Sequence, residues 1–355
     1  MNAPIAMAHH VAAVDLCDPA TIRRIEGFVA EQRASLFHRP AWLKAVEAGT
    51  GQCACGFISE QLGVITGWLP LTQVHSRLFG KALVSSGFGV GGGICATSDD
   101  AARALSEAAE KYALSQSIPG IELRGGPAPT HAGWQTRDDK HCGFIAALAG
   151  DDVAQLKAIP RKARAEVRKG LNNELPIRIG RATDDWRAHY AVYSESVRNL
   201  GTPVFPAKLF RAMLAAFSDE SDILTVFQDG APIASVLNFY HDGAVMPFWG
   251  GGTLAARDAR ANDVMYYELM LHARRCGMDR FDFGRSKNGS GPWKYKKNWG
   301  FEPEPLAYAY WTAPGEAARD VDPTSEAYQR KIELWKKLPL PLANALGPWI
   351  ARGLA

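Results

Sequence analysis

The chain has 355 residues, 47% of them hydrophobic and 22% charged, with a formal net charge of +3. That length and mixture suit two domains with well-buried cores and exclude a disordered or fibrous chain. A balance so near neutral gives no global field for a polyanion, so DNA is not expected as a partner and any anion must meet a local patch.

The opening stretch, MNAPIAMAHHVAAVDL, lacks the basic segment and long apolar run of a secretory leader. No stretch approaches the ~20 apolar residues of a membrane-spanning helix. A cytoplasmic protein is the expectation. The six cysteines (Cys17, Cys53, Cys55, Cys95, Cys142, Cys276) include no CxxC pair and read as small core residues in a reducing compartment. The histidines show no ligand spacing, and no metal is expected. His38, two residues before Pro40 in a loop-like stretch, reads as structural.

Strand patterns fall at 55–59, 63–71 and 82–85, and then comes Gly91-Gly92-Gly93. Leu105, Ala109 and Tyr112 stand at helical spacing within 101–116. Pro119-Gly120 stops that helix, and a short strand follows at 121–125. The segment 151–173 reads as a basic helix with Pro160 in its first turn and Arg161, Arg164 and Arg168 on one face. It is either a solvated connector between domains or a cationic rail for a phosphate-bearing partner. A helical pair at 186–199 and 206–217 is broken at Gly201-Thr202-Pro203.

Three more strands, at 223–228, 233–240 and 244–249, are separated by Asp229-Gly230 and Asp242-Gly243 turns. Gly250-Gly251-Gly252 follows, then a helix over 262–276 ended by Gly277 and a strand at 281–285. The order strands, triple glycine, helix, strand therefore occurs twice at nearly equal spacing, which implies two similar domains. An antiparallel meander followed by a helix and a strand is an α+β or mixed α/β layout. The triple glycines are not GxGxxG, so a dinucleotide fold has little support.

Residues 281–301, FDFGRSKNGSGPWKYKKNWGF, place Lys294, Lys296 and Lys297 among Trp293, Tyr295 and Trp299, just past a strand end. The reading is a cationic, partly dry pocket of the kind that holds phosphates or stabilises a developing oxyanion, or else a lysine-rich surface hairpin. The end of the chain, LWKKLPLPLANALGPWIARGLA, is apolar with Lys336, Lys337 and Arg352 at its flanks. It reads as a tail packed on the second domain or as a shallow dock on an anionic membrane.

Together these residues resemble the FemABX group of the GNAT superfamily, and more narrowly the FemAB-related proteins associated with PEP-CTERM/exosortase systems. The matching segments are Phe37–Trp42, the basic helix at Arg161–Gly170, Ser196–Phe205, Trp249–Thr253, Ala261–Tyr266 and the 281–301 stretch. The resemblance implies two tandem GNAT-like domains, each a mixed or mostly antiparallel sheet flanked by helices. The expected division is 1–150, a connecting helix at 151–173, a catalytic domain at 174–320 and a helical tail at 321–355. It also implies an N-acyltransferase or aminoacyltransferase acting on a lipid-linked amine acceptor of peptidoglycan or exopolysaccharide assembly. The donor would be acyl-CoA or aminoacyl-tRNA, with tRNA as a partner in the second case; peripheral membrane contact rests on the tail's own composition.

The family pattern aromatic-Lys-x-x-aromatic-Gly falls on Tyr295–Gly300 and places the oxyanion-stabilising lysine at Lys296. The family's phosphate-contacting arginine falls on Arg198, and the aromatic of the strand before the glycines on Phe248 or Trp249. Asp282 is the carboxylate candidate for holding or deprotonating the amine, and Tyr266 a proton donor to the leaving group. The bland readings are an ion-pairing carboxylate and a core aromatic. Arg285, Lys294 and Lys297 are candidates for phosphate. Gly250, Gly251 and Gly252, with the helix start at Asn262, could hold a pyrophosphate. This chain lacks the long helical hairpin that some relatives use for tRNA, which leaves two alternatives open. One is acetyl-CoA-dependent acetylation of a small sugar or amine; the other is a non-catalytic binding protein of an exosortase system.

Overall fold

The computed structural model describes residues 9–317 and 326–354. The first eight residues of the opening stretch, and 318–325 at the expected boundary of domain and tail, lie outside the described residues. In chain order the elements begin with β1 (His10–Ala13), α1 (Pro19–Glu31), a 3-10 turn (Leu36–His38), α2 (Pro40–Thr50), β2 (Cys53–Gln61), β3 (Val64–Ser76), β4 (Gly80–Ser85), β5 (Cys95–Ala96), α3 (Asp99–Ser115), β6 (Gly120–Arg124) and β7 (Trp134–Arg137). They continue with β8 (His141–Gly143), β9 (Ile145–Ala147), α4 (Asp152–Ala158), α5 (Arg161–Leu171), β10 (Ile177–Gly180), α6 (Thr183–Leu200), α7 (Ala207–Ala216), β11 (Ser221–Gln228), β12 (Ala231–His241), β13 (Ala244–Gly252), α8 (Leu254–Asp258), α9 (Ala261–Arg275), β14 (Arg280–Asp282), β15 (Ser286–Lys287) and α10 (Gly291–Asn298). The last are β16 (Glu304–Pro305), β17 (Tyr308–Thr312), α11 (Glu326–Lys336) and α12 (Leu340–Ala351).

Two compact units result. The first takes the chain up to Asp138, the return segment from Leu306 that carries β17, and the end from Arg352. Its sheet runs β1-β2-β3-β4-β6-β17-β7, with β5 on β3. The second takes Asp139–Pro305 together with α11 and α12, and its main sheet runs β10-β11-β12-β13-β14-β9. A small sheet β15-β8-β16 belongs to the same unit.

The predicted echo is present as topology. In the first unit β2, β3 and β4 form an antiparallel meander, α3 crosses over, and β6 returns parallel to β4. In the second, β11, β12 and β13 do the same, α9 crosses over, and β14 returns parallel to β13. In each sheet the strand beyond the return strand comes from far along the chain, β17 beside β6 and β9 beside β14, both antiparallel. The units therefore divide at Asp138/Asp139 and not at 150, because β8 and β9 pair only within the second.

In the second unit, alternation along the strands gives the two faces different helices. Leu224, Val226, Ala234 and Val236 share a core with α5 and α9 through Val167, Met265 and Leu269. The intervening Ser235 faces α6, where His189 Nδ1 meets its hydroxyl at 3.1 Å. The turns are as expected: Asp229-Gly230 and Asp242-Gly243 all take positive φ, the primed-turn geometry that suits tight hairpins.

Two expectations need correction. The triple glycine 250–252 is the end of β13 and not a loop after it. The cysteines are not all core residues: Cys17, Cys53 and Cys276 are exposed, and only Cys142 is buried, all of them as free thiols.

Candidate functional site

β13 and β14 run parallel but pair only at Ala244 with Arg280 and Val245 with Phe281. A bulge then shifts the register of β13 against β12, with Leu237 opposite Trp249 and Asn238 opposite Pro247, leaving Phe248 as the extra residue. A bulge bends and twists its strand. Beyond it the two strands are not paired, and from Met246 to Gly252 the β14 side of β13 has no strand partner among the described residues. An edge without a neighbouring strand suits an extended, amide-bearing ligand.

Past the end of β14 the chain turns sharply. Asp282 Oδ1 accepts the Gly284 N–H at 2.9 Å, and Gly284 takes φ +71°, a conformation glycine reaches without steric cost. Ser290 then caps α10, its Oγ accepting the Trp293 N–H at 3.3 Å, with Pro292 in the first turn. The alternating Trp-Lys-Tyr-Lys-Lys stretch is thus a helix, not a hairpin. Its single buried residue is Lys296.

Lys296 is only 8% exposed. Its Nζ donates to the Gly284 carbonyl at 3.1 Å and the Arg285 carbonyl at 3.0 Å. The rings of Phe144 and Phe283 each lie 5.3 Å from the ammonium. Burial pulls its pKa down to about 8, against the pull of Asp282 and Cys142 in the other direction. One of its three N–H donors remains beyond the two carbonyls, available to an incoming oxygen. Burial raises the Asp282 carboxyl above its ordinary range, opposed by the Gly284 hydrogen bond and by Lys296.

Tyr266 stacks edge-on against Phe283 at 4.7 Å and tilts toward Tyr295 at 6.1 Å. Burial, with help from Asp263, pushes its phenol up to about 12. Asp263 accepts the Tyr295 hydroxyl at 2.9 Å, and its own carboxyl is raised by burial.

The structure thus gathers Lys296, Asp282 and Tyr266 around the single residue Phe283 and its neighbours. Arg285, Lys294 and Lys297 are exposed on the same turn and helix, with Lys297 Nζ 5.2 Å from the Trp293 ring. Asn262 lies in the first turn of α9, its Oδ1 buried without a hydrogen-bond partner. It is packed so tightly on Gly252 that a Cβ there would lie 2.6 Å from that oxygen. A Cβ on Gly251 would lie 2.2 Å from Ser196 Oγ, and one on Gly250 2.8 Å from Val236 Cγ2. The three glycines therefore let helices and a neighbouring strand close on β13.

Arg198 stands elsewhere: its Nη1 donates to the Lys336 carbonyl at 3.1 Å, closing the end of α11. No contact among the described residues joins it to Lys296. Trp249 is buried against Phe210 and Phe248, at 5.1 and 4.8 Å. His38 is held by Ser35 Oγ and the Gly93 carbonyl, as a structural residue should be.

The sequence reading missed Phe144 and Cys142 and the paired carbonyls of Gly284 and Arg285. The carbonyls carry no side-chain signal, and Phe144 comes from 152 positions upstream of Lys296 along the chain only through the β8–β15 pairing. The Ser290-Gly291-Pro292 cap was the readable sign of the helix.

Residues 158–297 match the acetyltransferase (GNAT) domain family. The match takes in the segment that carries Lys296. No curated protein matches the chain in sequence. Among solved structures the chain is similar to FemX, at 13% identity and a TM-score of 0.64, covering 92% of this chain and 100% of that one. It is also similar to the C-terminal domain of a putative lysylphosphatidylglycerol synthetase from Agrobacterium fabrum, at 13% identity and TM-score 0.55, covering 83% and 92% of the two chains. A third similarity is to a tandem GNAT protein from the clavulanic acid biosynthesis pathway, at 13% identity and TM-score 0.54, covering 87% and 99%. These likenesses establish the fold: two GNAT-like units in tandem.

Proposed function

We propose that this chain, a FemX-like protein of the GNAT superfamily, transfers an acyl or aminoacyl group to the amine of a lipid-linked or glycan acceptor of the cell envelope. The observation that carries the reading is Lys296, a buried ammonium held by two main-chain carbonyls where β13 and β14 part. A fixed charge in a partly dry site is worth far more to a developing oxyanion than the same charge in water.

In the proposed reaction the acceptor nitrogen attacks the donor carbonyl, forming the C–N bond and placing an electron pair on the carbonyl oxygen. Lys296 Nζ stabilises that oxyanion. Collapse breaks the ester or thioester bond, and the leaving oxygen or sulfur departs with the electron pair. Tyr266, whose high pKa keeps it protonated at neutral pH, supplies the leaving group's proton. Asp282, made more basic by burial, holds the amine and takes the proton it loses. Arg285, Lys294 and Lys297 bind phosphates of donor or acceptor, and Arg198 is retained as a more remote phosphate contact. Asn262 and the glycine-rich end of β13 hold the donor along the unpaired strand edge.

The unpaired edge and the acetyltransferase family match also favour a second reading, acetyl-CoA-dependent acetylation of a small sugar or amine. A thermal-shift screen against acyl-CoA, charged and uncharged tRNA and undecaprenyl-linked sugars tests both. A ligand bound only by the native state raises the melting temperature by mass action. A shift with charged tRNA supports the first reading, and one with acyl-CoA the second. Shifts with glycan or lipid-linked sugar alone would overturn both in favour of a binding protein of an exosortase system, and unchanged turnover in Lys296→Ala would remove the oxyanion role given to that lysine. No helix among the described residues is long and apolar enough to cross a membrane. In this reading a lipid-linked acceptor is met by peripheral contact at the membrane face.

A further inference from the structure

Helix α12 is built inside out. It has no charged residue in its sequence LPLANALGPWIA. Its small residues Ala343, Gly347 and Ala351 recur every four positions and are buried. Its large ones on the other side are not: Leu342 is 46% exposed, Leu346 43% and Trp349 48%. In a helix whose task is to cover a core, the large apolar residues face inward.

Rolling α12 over would not bury them. A Cβ at Gly347 would lie 2.9 Å from the Val204 backbone nitrogen, so only a residue without a side chain fits against that strand of chain. Asn344 Nδ2 meanwhile donates to Ser194 Oγ on α6 at 3.2 Å. The inward contacts fix the roll of the helix, and that roll presents the leucines and the indole to the outside. Leu334, 68% exposed at the end of α11, adds to the same segment.

The charges at its flanks are mostly basic, with Lys336 Nζ on Glu333 at 2.7 Å. Within 330–354 the basic residues are Arg330, Lys331, Lys336, Lys337 and Arg352, and the acidic residue is Glu333 alone. Apolar side chains on one side of a helix, a tryptophan among them, with basic residues at both ends match an anionic lipid surface in shape and charge.

We infer that the outward face of α12 is a membrane-docking surface, with Leu342, Leu346 and Trp349 set among the headgroups and acyl chains of an anionic bilayer and Lys336 and Lys337 meeting its phosphates. This names the element and the lipid chemistry behind the peripheral contact proposed above. It does not depend on which donor or acceptor the enzyme uses. The full chain is sedimented with vesicles of phosphatidylcholine alone and with vesicles containing about 30% phosphatidylglycerol. The expected result is at least about tenfold stronger partition onto the anionic vesicles, weakened by about 0.5 M salt, with a blue shift in tryptophan emission. The triple variant Leu342→Ser, Leu346→Ser, Trp349→Ser should lose the partition and keep the wild-type melting temperature, because these side chains support no core. Lys336→Gln with Lys337→Gln should flatten the salt dependence while weak apolar binding persists. Equal sedimentation of wild type and triple variant, or none of either, overturns the inference. So does a concentration-dependent dimer that the triple variant abolishes, which would make this face an interface between copies. Turnover of a soluble amine acceptor is measured in parallel: its loss in Lys296→Ala but not in the triple variant keeps the failure of the docking surface separate from failure of the reaction.

Discussion

Lys296 and His189 are both bases that the fold holds less protonated than water would, and each makes stability rise with pH in a window of its own. Lys296 is drawn from the usual lysine range to about 8, chiefly by burial. Below pH 8 both folded and unfolded chains carry its proton, and the burial cost is fully present. Between about 8 and 10.5 the unfolded chain holds more protons, so stability rises with pH through that window. Turnover should move the other way, falling above pH 8 as the ammonium is lost. A pH series of melting temperature and rate checks both, and Lys296→Met should remove the stability slope while lowering kcat/KM by about 10²–10³-fold. His189 is fully buried, with Nδ1 on Ser235 Oγ, and burial lowers its pKa to about 3. Its folded pKa lies below the unfolded 6.5, so its contribution is complete above 6.5 and is lost as pH falls toward 3, by of order 4 kcal/mol in all. Urea unfolding at pH 7 and pH 4 should show that loss, and a His189→Gln variant should show less of it. The lysine was legible from the aromatic-Lys-x-x-aromatic-Gly pattern. The displacement of its proton was not, because the burial that causes it is made by segments distant in sequence, Phe144 among them.

At the scale of elements, the packing of α6 and α9 on β13 depends on glycines. Gly251→Ala would press Ser196 on α6, and Gly252→Ala would press Asn262 on α9. Each should cost roughly 1–3 kcal/mol in denaturant unfolding and widen the donor edge. Gly291, at the first position of α10, has nothing within 4 Å of an added Cβ, so Gly291→Ala should be neutral or stabilising by comparison. A Gly251→Ala variant as stable as Gly291→Ala would sink the packing argument. Ser290→Ala should cost about 1 kcal/mol by uncapping α10, and should loosen Lys296 with it. Strands and helices were legible where period and turn chemistry agreed, as for α9, which the sequence placed at 262–276 and the structure places at Ala261–Arg275. They were misread where a short helix carries an alternating pattern. In α10, burial of one residue in eight leaves no apolar stripe to detect.

At the scale of the whole molecule, the chain visits its units out of order. β17, after the second unit's sheet is complete, inserts between β6 and β7 of the first. Trp311 on β17 joins the core of Leu83, Leu105 and Ile121. A chain ending at Pro305 should therefore lose amide-exchange protection in β6, while β11–β13 stay protected; retained protection in β6 would show that β17 is dispensable. The duplication itself was visible in sequence, because strand, glycine, helix and strand lengths are set by local hydrophobic period and turn residues. So were the lysines set among aromatics at 293–299 and the tail's apolar character, each carried by residue types close together in the chain. The exchange of β9 and β17, the bulge that parts β13 from β14, the carbonyl cradle of Lys296 and the outward roll of α12 were decided by tertiary structure alone. Each depends on contacts between segments far apart in sequence, where the deciding atoms are backbone groups or missing side chains that no local pattern records.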